Sequence, residues 1–442
     1  MSKPVWSPTP AAAEATAMRR FRSAASARAG RALAGTPDVQ AWSLSEPGAF
    51  WSLVWDEFGV VGERGERDVV PATLPQAVFF PDARINLAEN LLEPWRGSDA
   101  PAVVWAGEGD GEVELREEVS GAELRRRVGS FAAALRTHGI VPGDRVGLVL
   151  PVGPDALVCT LGALAVGAVV SSVSPEFGAP SIVDRLGQLE PRVLVAAPSY
   201  GWNGKHFHRA DNVADVVRAL PSLALVLTAG EEPDPTIASA APAGCDVRAL
   251  APALAADVEP EFARMPFDHP AYVLFSSGTT GKPKCLIHRG GGVLLKHLVE
   301  VGLHADVRAG DRLLYYTTTS WMMWNWEVSC LALGATLVLH DGAPTYPDPQ
   351  ALFDSARMTG TTHLGLSARV LDYMKGEGVA LAPHVGPTLR QVLVTGSPLS
   401  VPTAEWLADQ LGPEIMINPI SGPSSSASSS AATPRGPSTR AR

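Results

Sequence analysis

The stretch AYVLFSSGTTGKPKCLIH, residues 271–288, contains the pattern from which the fold and chemistry can be predicted. Its apolar runs Tyr272–Phe275 and Cys285–Ile287 are typical of buried strands. Between them lie hydroxyl residues and glycines, followed by Lys282 and Lys284. Glycines allow close approach of backbone N–H groups, while hydroxyls and lysines add donors and charge. The stretch therefore predicts two strands joined by an anion-binding loop.

A Walker-type phosphate loop is a competing interpretation, and the sequence departs from its pattern at two positions. That pattern needs glycine five residues before Gly281, where this chain has Ser276. It also needs Ser or Thr after the lysine, where this chain has Pro283. A hairpin loop that binds no ligand remains an alternative at this point.

Composition and charge exclude several classes of function. The chain has 442 residues, with 46 acidic and 36 basic side chains, for a net charge of −10. This balance argues against a nucleic-acid surface. The sequence contains neither an apolar run of eighteen residues nor a charged-then-apolar signal at its start, so we expect a cytoplasmic protein without membrane contact. Four scattered cysteines and ten histidines form no metal-binding motif, and no metal ligand is predicted.

Alternating helical and apolar strand patterns predict the fold class. Residues 120–138 form a helix with a capping box of Ser120 and Glu123, and residues 145–150 form a buried strand. A small-residue helix over 156–167 and another apolar strand over 168–173 follow. Continuous apolar strands that alternate with helices indicate a mostly parallel sheet covered on both faces. We therefore expect an α/β fold.

SSGTTGKPK at residues 276–284 closely resembles the phosphate loop of the adenylate-forming superfamily, which includes acyl-CoA synthetases. FFPDARINLAENLL (79–92), SWMMWNWE (320–327) and MINPISG (416–422) most resemble the acetoacetyl-CoA synthetases within it. The resemblance implies the large N-terminal domain of that fold, with stacked, mostly parallel sheets. It also implies a ligase that uses ATP and Mg²⁺ to form acetoacetyl-adenylate and then transfers the acyl group to CoA. A ligase for acetate or propionate is an alternative.

The same resemblance implies a set of site residues. Thr279, Lys282 and Lys284 would be catalytic. The short acid would lie against Trp321, Met322, Met323 and Trp324, although large apolar residues are mostly buried for packing alone. The nucleotide would bind to Ser276, Ser277, Gly278, Thr279, Thr280, Gly281, Lys282, Gly396, Ser397 and Pro398.

Gly396-Ser397-Pro398 is also ordinary turn chemistry, so a turn without a ligand remains open. Lys205, His206 and His208 lie in a polar stretch that is expected to be a solvated loop. This stretch is part of residues 200–213, YGWNGKHFHRADNV. They resemble the region where acetyl-CoA synthetases contact the nucleotide end of CoA.

The expected organisation has four parts. Residues 1–35 form a flexible arm or a short helix, 36–92 an N-terminal module and link, and 93–422 an AMP-binding domain. Residues 423–442 contain seven serines, three prolines and no acidic residue, so disorder is expected there.

The family resemblance stops after Gly422, where an acid that holds Mg²⁺ is expected in relatives. We therefore expect a truncated chain without the C-terminal lid, impaired in turnover. A non-catalytic nucleotide-binding remnant is the alternative to an active ligase. The expected partners are small molecules: acetoacetate, ATP and CoA.

Overall fold

The computed structural model describes residues 6–72, 76–276, 281–422 and 430–431. Within these residues, two large sheets carry most of the strands. The sheet order and parallel pairing confirm the α/β prediction. In these residues, no helix combines the length and apolar character needed to cross a membrane.

The first sheet has seven described strands, parallel except at one edge. At that edge, the strand before the predicted loop pairs antiparallel with the strand after it, so Ser276 lies opposite Lys284. The two predicted strands around the loop are therefore confirmed. In spatial order the strands are Asp246–Ala249, Leu225–Thr228, Val193–Ala196, Arg145–Val149, Val169–Ser172, Pro270–Ser276 and Lys284–Arg289.

The second sheet has eight described strands, with six parallel strands between two antiparallel edges. Its order departs from chain order because Pro101–Glu108 pairs with a strand more than 200 residues later, at Thr336–Asp341. In spatial order its strands are Ser430–Ala431, Met416–Ser421, Gln391–Thr395, His363–Ser367, Arg312–Tyr315, Thr336–Asp341, Pro101–Glu108 and Val113–Ser120.

Helices cover both sheets and fill the space between them. The α-helices are Pro10–Glu14, Ala17–Arg28, Thr36–Ser45, Pro47–Glu57, Leu87–Leu92, Gly121–Thr137, Pro154–Val166, Ala179–Leu186, Ala210–Arg218, Pro235–Ser239, Ala251–Leu254, Gly290–His297, Met322–Val328, Ala351–Met358, Ala368–Gly376 and Val401–Leu411. Helical segments of other types are the π-helix Leu298–His304 and the 3-10 helices Glu93–Trp95, Ser329–Leu333 and Ala382–His384. Small strand pairs are Gly62–Glu63 and Met265–Pro266 on Arg84–Ile85, Val69–Val70 on Val78–Phe79, and Ser199–Trp202 on Lys205–His208.

The core has three layers because successive strand residues point to opposite faces of a sheet. One buried cluster joins Leu148 of the first sheet, Leu313 of the second and Phe131 of the helix Gly121–Thr137. The outward-facing strand residues belong to two separate clusters, one on the outer face of each sheet. Every residue of the helix Pro154–Val166 except Asp155 is buried, as expected for a helix in the central layer.

Local sequence signals account for the ends of the central helices. The Ser120 side chain accepts a hydrogen bond from the Glu123 N–H at 3.2 Å, which confirms the predicted helix start. Gly167 ends the other helix with φ of 82°, a left-handed conformation that favours glycine. These caps set where each helix ends and the next strand begins.

The structure refines the sequence predictions in two places. Residues Ala17–Arg28, within the segment expected to be an arm or a short helix, form a helix that buries Phe21 and Ala25 against the core. The Ala17 N–H also donates to Asp306 at 2.7 Å. The expected solvated loop at Lys205, His206 and His208 is instead one strand of an antiparallel hairpin, because Asn203 and Gly204 adopt the positive φ values of a tight turn.

Replacing Phe21 with Ala tests the packing of the N-terminal helix. The Phe21 ring is 2% exposed and meets Phe50 edge-on, with centroids 5.7 Å apart. Loss of a buried phenyl ring from a packed core is expected to lower the free energy of unfolding by about 3–5 kcal/mol. The measurement is urea unfolding, with Leu44→Ala as control because Leu44 is 77% exposed. Equal stabilities for the two variants would contradict the packed helix.

Candidate functional site

The carboxyl ends of the two sheets meet through hydrogen bonds that involve one segment, residues 317–320. The Thr319 hydroxyl donates to the Leu150 carbonyl at 2.9 Å, and the Ser172 hydroxyl donates to the Thr319 carbonyl at 2.5 Å. The Ser174 N–H donates to the Ser320 hydroxyl. Leu150 and Ser172 stand at the ends of neighbouring strands of the first sheet, whereas residues 317–320 follow a strand of the second. These bonds fix the two carboxyl edges against each other.

A cleft of about 390 Å³ opens beside this junction. Residues 316–319 and 340–342 line it from the second sheet, and residues 174–176 line it from the first. Tyr200, Gly201 and Trp202 of the hairpin form a further side. In open α/β sheets, ligands bind outside the carboxyl ends of the strands, so this cleft has the position expected of a binding site.

The cleft contains a buried hydroxyl that lacks a partner. Among the described residues, the Thr318 Oγ1 atom is buried and makes no hydrogen bond. Such groups are rare in folded proteins, because an unpaired buried donor costs about 1–3 kcal/mol. The Tyr316 hydroxyl, in contrast, donates to the Gly342 carbonyl at 3.1 Å. Thr318 therefore has unused hydrogen-bonding capacity in the wall of the cleft.

Burial shifts the pKa values of several ionisable groups around the cleft toward their neutral forms. It lowers the pKa of His340 to about 4, while the Ala343 carbonyl and the charge of Glu108 act in the opposite direction and Arg116 adds to the decrease. The imidazole Nδ1 lies 3.1 Å from the Ser355 hydroxyl. Burial also raises the pKa of Tyr316 and, despite an ion pair with Arg116 at 2.7 Å, that of Asp341. The cleft thus offers hydroxyls and a neutral imidazole near neutral pH.

The predicted phosphate loop is described only at its two ends. Ser276 ends its strand, and Gly281 has φ of 119°. The Lys282 ammonium is 73% exposed and lies 3.6 Å from the Asp184 carboxylate, whereas Lys284 is exposed at the start of the next strand. Of the other predicted loop residues, Ser277, Gly278, Thr279 and Thr280 lie outside the described residues.

The second predicted nucleotide segment lies at the carboxyl edge of the second sheet. Gly396, Ser397 and Pro398 directly follow the strand Gln391–Thr395 and are exposed. This strand is parallel to its neighbour His363–Ser367, which in turn is parallel to the strand that precedes Tyr316. The turn is therefore on the same edge of the sheet as the cleft.

The four residues predicted to contact the acid are not brought together on one surface. Trp321 is 54% exposed, whereas Met322, Met323 and Trp324 are buried within or at the start of the helix Met322–Val328. In the part of the chain that the structure describes, the residues lining the 390 Å³ cleft include none of these four. The burial of Met322, Met323 and Trp324 agrees with the alternative that these large apolar residues are buried for packing alone.

Several cleft residues carry no sequence prediction. Tyr316, Thr317 and Thr318 belong to a run of hydroxyl residues after a strand, and this run is the signal that could have identified them. His340 lies far away in sequence and reaches this edge only through strand order. Within the described residues, no group of three or more His, Cys, Asp or Glu side chains could hold a metal ion.

Comparisons with known proteins agree with this geometry. Residues 95–421 match the family described as AMP-binding enzyme. An acetoacetyl-coenzyme A synthetase of Rhizobium meliloti is 38% identical, with 95% of this chain and 64% of that protein covered. A malonamoyl-CoA synthetase of Penicillium aethiopicum is 34% identical, with 93% and 60% covered. The chain thus spans less than two thirds of the length of these two relatives.

A solved structure extends the comparison to three dimensions. The acetoacetyl-CoA synthetase from Streptomyces lividans has a TM-score of 0.89 and 38% identity to this chain, with 98% of this chain and 67% of that chain covered. This likeness confirms the expected fold of stacked, mostly parallel sheets flanked by helices.

The depressed pKa of His340 predicts a loss of stability in acid. An unfolded histidine has a pKa of about 6.5, so the unfolded chain binds a proton that the folded site excludes until about pH 4. Exclusion of this proton therefore does not reduce the free energy of unfolding above about pH 6.5. As the pH drops toward 4, it lowers the free energy of unfolding by up to about 1.4 kcal/mol per pH unit. His340→Gln is expected to reduce the pH dependence of the unfolding free energy in this window.

Urea unfolding at several pH values between 7 and 4.5 measures this effect. His206→Gln, which removes an exposed imidazole, is the matched control. An identical change of slope in both variants would show that burial of His340 does not cause the effect.

Proposed function

Because the chain belongs to the family of AMP-binding enzymes over residues 95–421, we propose that it activates a short carboxylic acid with ATP and transfers the acyl group to CoA. The observation that carries this proposal is the cleft where the carboxyl edges of both sheets meet, with the unpartnered hydroxyl of Thr318 in its wall. The family match begins at residue 95, which supports a boundary between an N-terminal module at 36–92 and the AMP-binding domain at 93–422.

Acetoacetate is the acid that the relatives favour. The relatives from Rhizobium meliloti and Streptomyces lividans are acetoacetyl-CoA synthetases, and the Penicillium relative is a malonamoyl-CoA synthetase. Acetoacetate and malonamate share a carbonyl group at C3, which acetate and propionate lack. We therefore propose a short acid with a carbonyl at C3, and acetoacetate first among such acids.

The loop and the edge of the second sheet have complementary roles in this proposal. Residues 276–282 bind the ATP phosphates, with Thr279, Lys282 and Lys284 closest to the reacting phosphorus. Lys282 suits this role because its described ion pair is exposed and long, at 3.6 Å to Asp184, and an exposed pair of this kind contributes little to stability. Gly396, Ser397 and Pro398 lie against the adenine ring. Mg²⁺ enters as the complex with ATP, which needs few protein carboxylates.

The chemistry has two steps. A carboxylate oxygen of the acid attacks the α-phosphorus, and the bond to the pyrophosphate oxygen breaks. The CoA sulfur then attacks the acyl carbon, AMP leaves, and the thiol proton passes to solvent. The first step brings two anions together, so positioned cations and hydrogen-bond donors are the main source of rate enhancement.

Trp321 is the residue of the aromatic segment best placed to meet an acid, because its indole is 54% exposed while Met322, Met323 and Trp324 are buried. In this proposal the three buried side chains support the segment. They also limit the depth of the site for the acid, which restricts the acid to a few carbons. Residues 200–213 contribute to the binding of CoA, as their resemblance to the acetyl-CoA synthetases suggests.

Pyrophosphate release from MgATP by the 442-residue chain tests the proposed reaction. The panel contains acetoacetate, malonamate, acetate and propionate, and the highest kcat/KM is expected for acetoacetate. Equal rates for all four acids would contradict recognition of the C3 carbonyl. Absence of release, together with AMP binding measured by calorimetry, would instead support the non-catalytic nucleotide-binding alternative.

Lys282→Gln tests the role of the phosphate loop. Removing one positioned charge-stabilising group is expected to lower the rate of pyrophosphate release by about 10²–10³. The control is Lys375→Gln, in the last turn of the helix Ala368–Gly376. That helix begins at the carboxyl end of its preceding strand, so its last turn lies toward the opposite edge of the sheet. Similar rates for the two variants would argue against Lys282 as a catalytic group.

A further inference from the structure

The hairpin formed by Ser199–Trp202 and Lys205–His208 separates two cavities. Tyr200, Gly201 and Trp202 line the 390 Å³ cleft. On the other side, Gly201, Gly204, Lys205 and His206 line a second cavity of about 580 Å³. The position of this hairpin therefore determines the shape of both spaces.

Glu108 holds the turn of the hairpin through backbone hydrogen bonds. Its carboxylate accepts from the Asn203 N–H at 2.7 Å and from the Gly204 N–H at 3.0 Å. It also accepts from the N–H of Ala343, a residue that follows the strand Thr336–Asp341. One side chain at the end of Pro101–Glu108 thus fixes two neighbouring segments at once. Hydrogen bonds to a charged acceptor are roughly twice as strong as neutral ones.

Steric contacts at two glycines make this arrangement specific. A Cβ atom at Gly204 would overlap the Tyr346 ring, and φ of 69° at this residue also favours glycine. A Cβ atom at Gly342 would overlap the side chain of Glu108. A side chain at either glycine would therefore displace one of these close contacts, Gly204 with Tyr346 or Gly342 with Glu108.

The hairpin presents basic side chains to solvent. Lys205, His206 and His208 are exposed on its second strand, and the Tyr200 and Phe207 rings stack across the two strands at 5.1 Å. The exposed ammonium of Lys205 and the neighbouring imidazole donors, on a hairpin beside a cleft, suit a ligand that carries several phosphates. CoA is such a ligand in the proposed reaction.

We propose that Glu108 is a positioning residue that holds the hairpin in place for CoA. The inference rests on the proposed function, because that proposal supplies the CoA substrate. Glu108 acts through the hairpin and makes no contact of its own with the reacting atoms. Loss of its charge is expected to loosen the hairpin and weaken CoA binding, while ATP, bound in the proposal by residues 276–282 and 396–398, is affected little.

Glu108→Gln is the principal variant, and Glu118→Gln on the adjacent strand is its control because Glu118 is exposed. Glu108→Asp retains the charge and is expected to restore part of the effect. Gly204→Ala displaces the turn without changing the charge of the chain. Hydrogen exchange of peptides covering residues 199–208 and 342–346 reports the contact directly, and calorimetry reports the dissociation constants of CoA and ATP.

Glu108→Gln is expected to raise amide exchange in both peptides and to weaken CoA binding about tenfold, with less than about a twofold change for ATP. Gly204→Ala should weaken CoA binding in the same selective way. Unchanged exchange in Glu108→Gln would overturn the contact, and equal loss of CoA and ATP binding would show a merely structural role. If the parent chain itself binds no CoA, the proposed function and the role in CoA binding both fail, while the exchange data still decide whether Glu108 holds the hairpin.

Discussion

The hydrogen bonds between Thr319 and the ends of the first sheet are the constraint on which the site depends. The Thr319 hydroxyl donates to Leu150, and the Thr319 carbonyl accepts from Ser172. Each sheet could form its own ladder without the other, and these contacts hold their carboxyl ends together. The cleft, the Thr318 hydroxyl and the exposed turn at Gly396 then lie along edges whose relative positions are fixed. Because the linking groups are themselves buried, their loss would leave unpaired polar atoms in the interior.

The buried helices between the sheets support this junction. Pro154–Val166 begins close to Leu150 in sequence, and Met322–Val328 begins close to Thr319, so each linking segment leads directly into a buried helix. Inside the second of these, the Glu327 carboxylate accepts from the Tyr315 N–H at 3.1 Å, and burial raises the pKa of this acid. A close-packed interior of this kind resists small displacements, which keeps the hydroxyl groups of the cleft in position before a ligand arrives.

The local parts of the fold were predictable from sequence. Ser120 and Glu123 marked a helix start, and the apolar runs on either side of residues 276–284 marked a strand pair, because these signals depend on neighbouring residues alone. The site was harder to predict from sequence. Glu108 and His340 lie on strands that are neighbours in the second sheet but distant in sequence, and no local pattern encodes that strand order. The packed helix at Phe21 and the burial of Trp324 show the same limit, since an apolar side chain has one appearance in sequence whether it packs in a core or faces a substrate.

A crystal structure of the chain with AMP is the most direct test of the central claim, that the joined carboxyl edges form a nucleotide site. The account predicts adenine beside Gly396, Ser397 and Pro398, and a polar group of the nucleotide within hydrogen-bond distance of the Thr318 hydroxyl. AMP bound elsewhere, with Thr318 still unpaired, would contradict it.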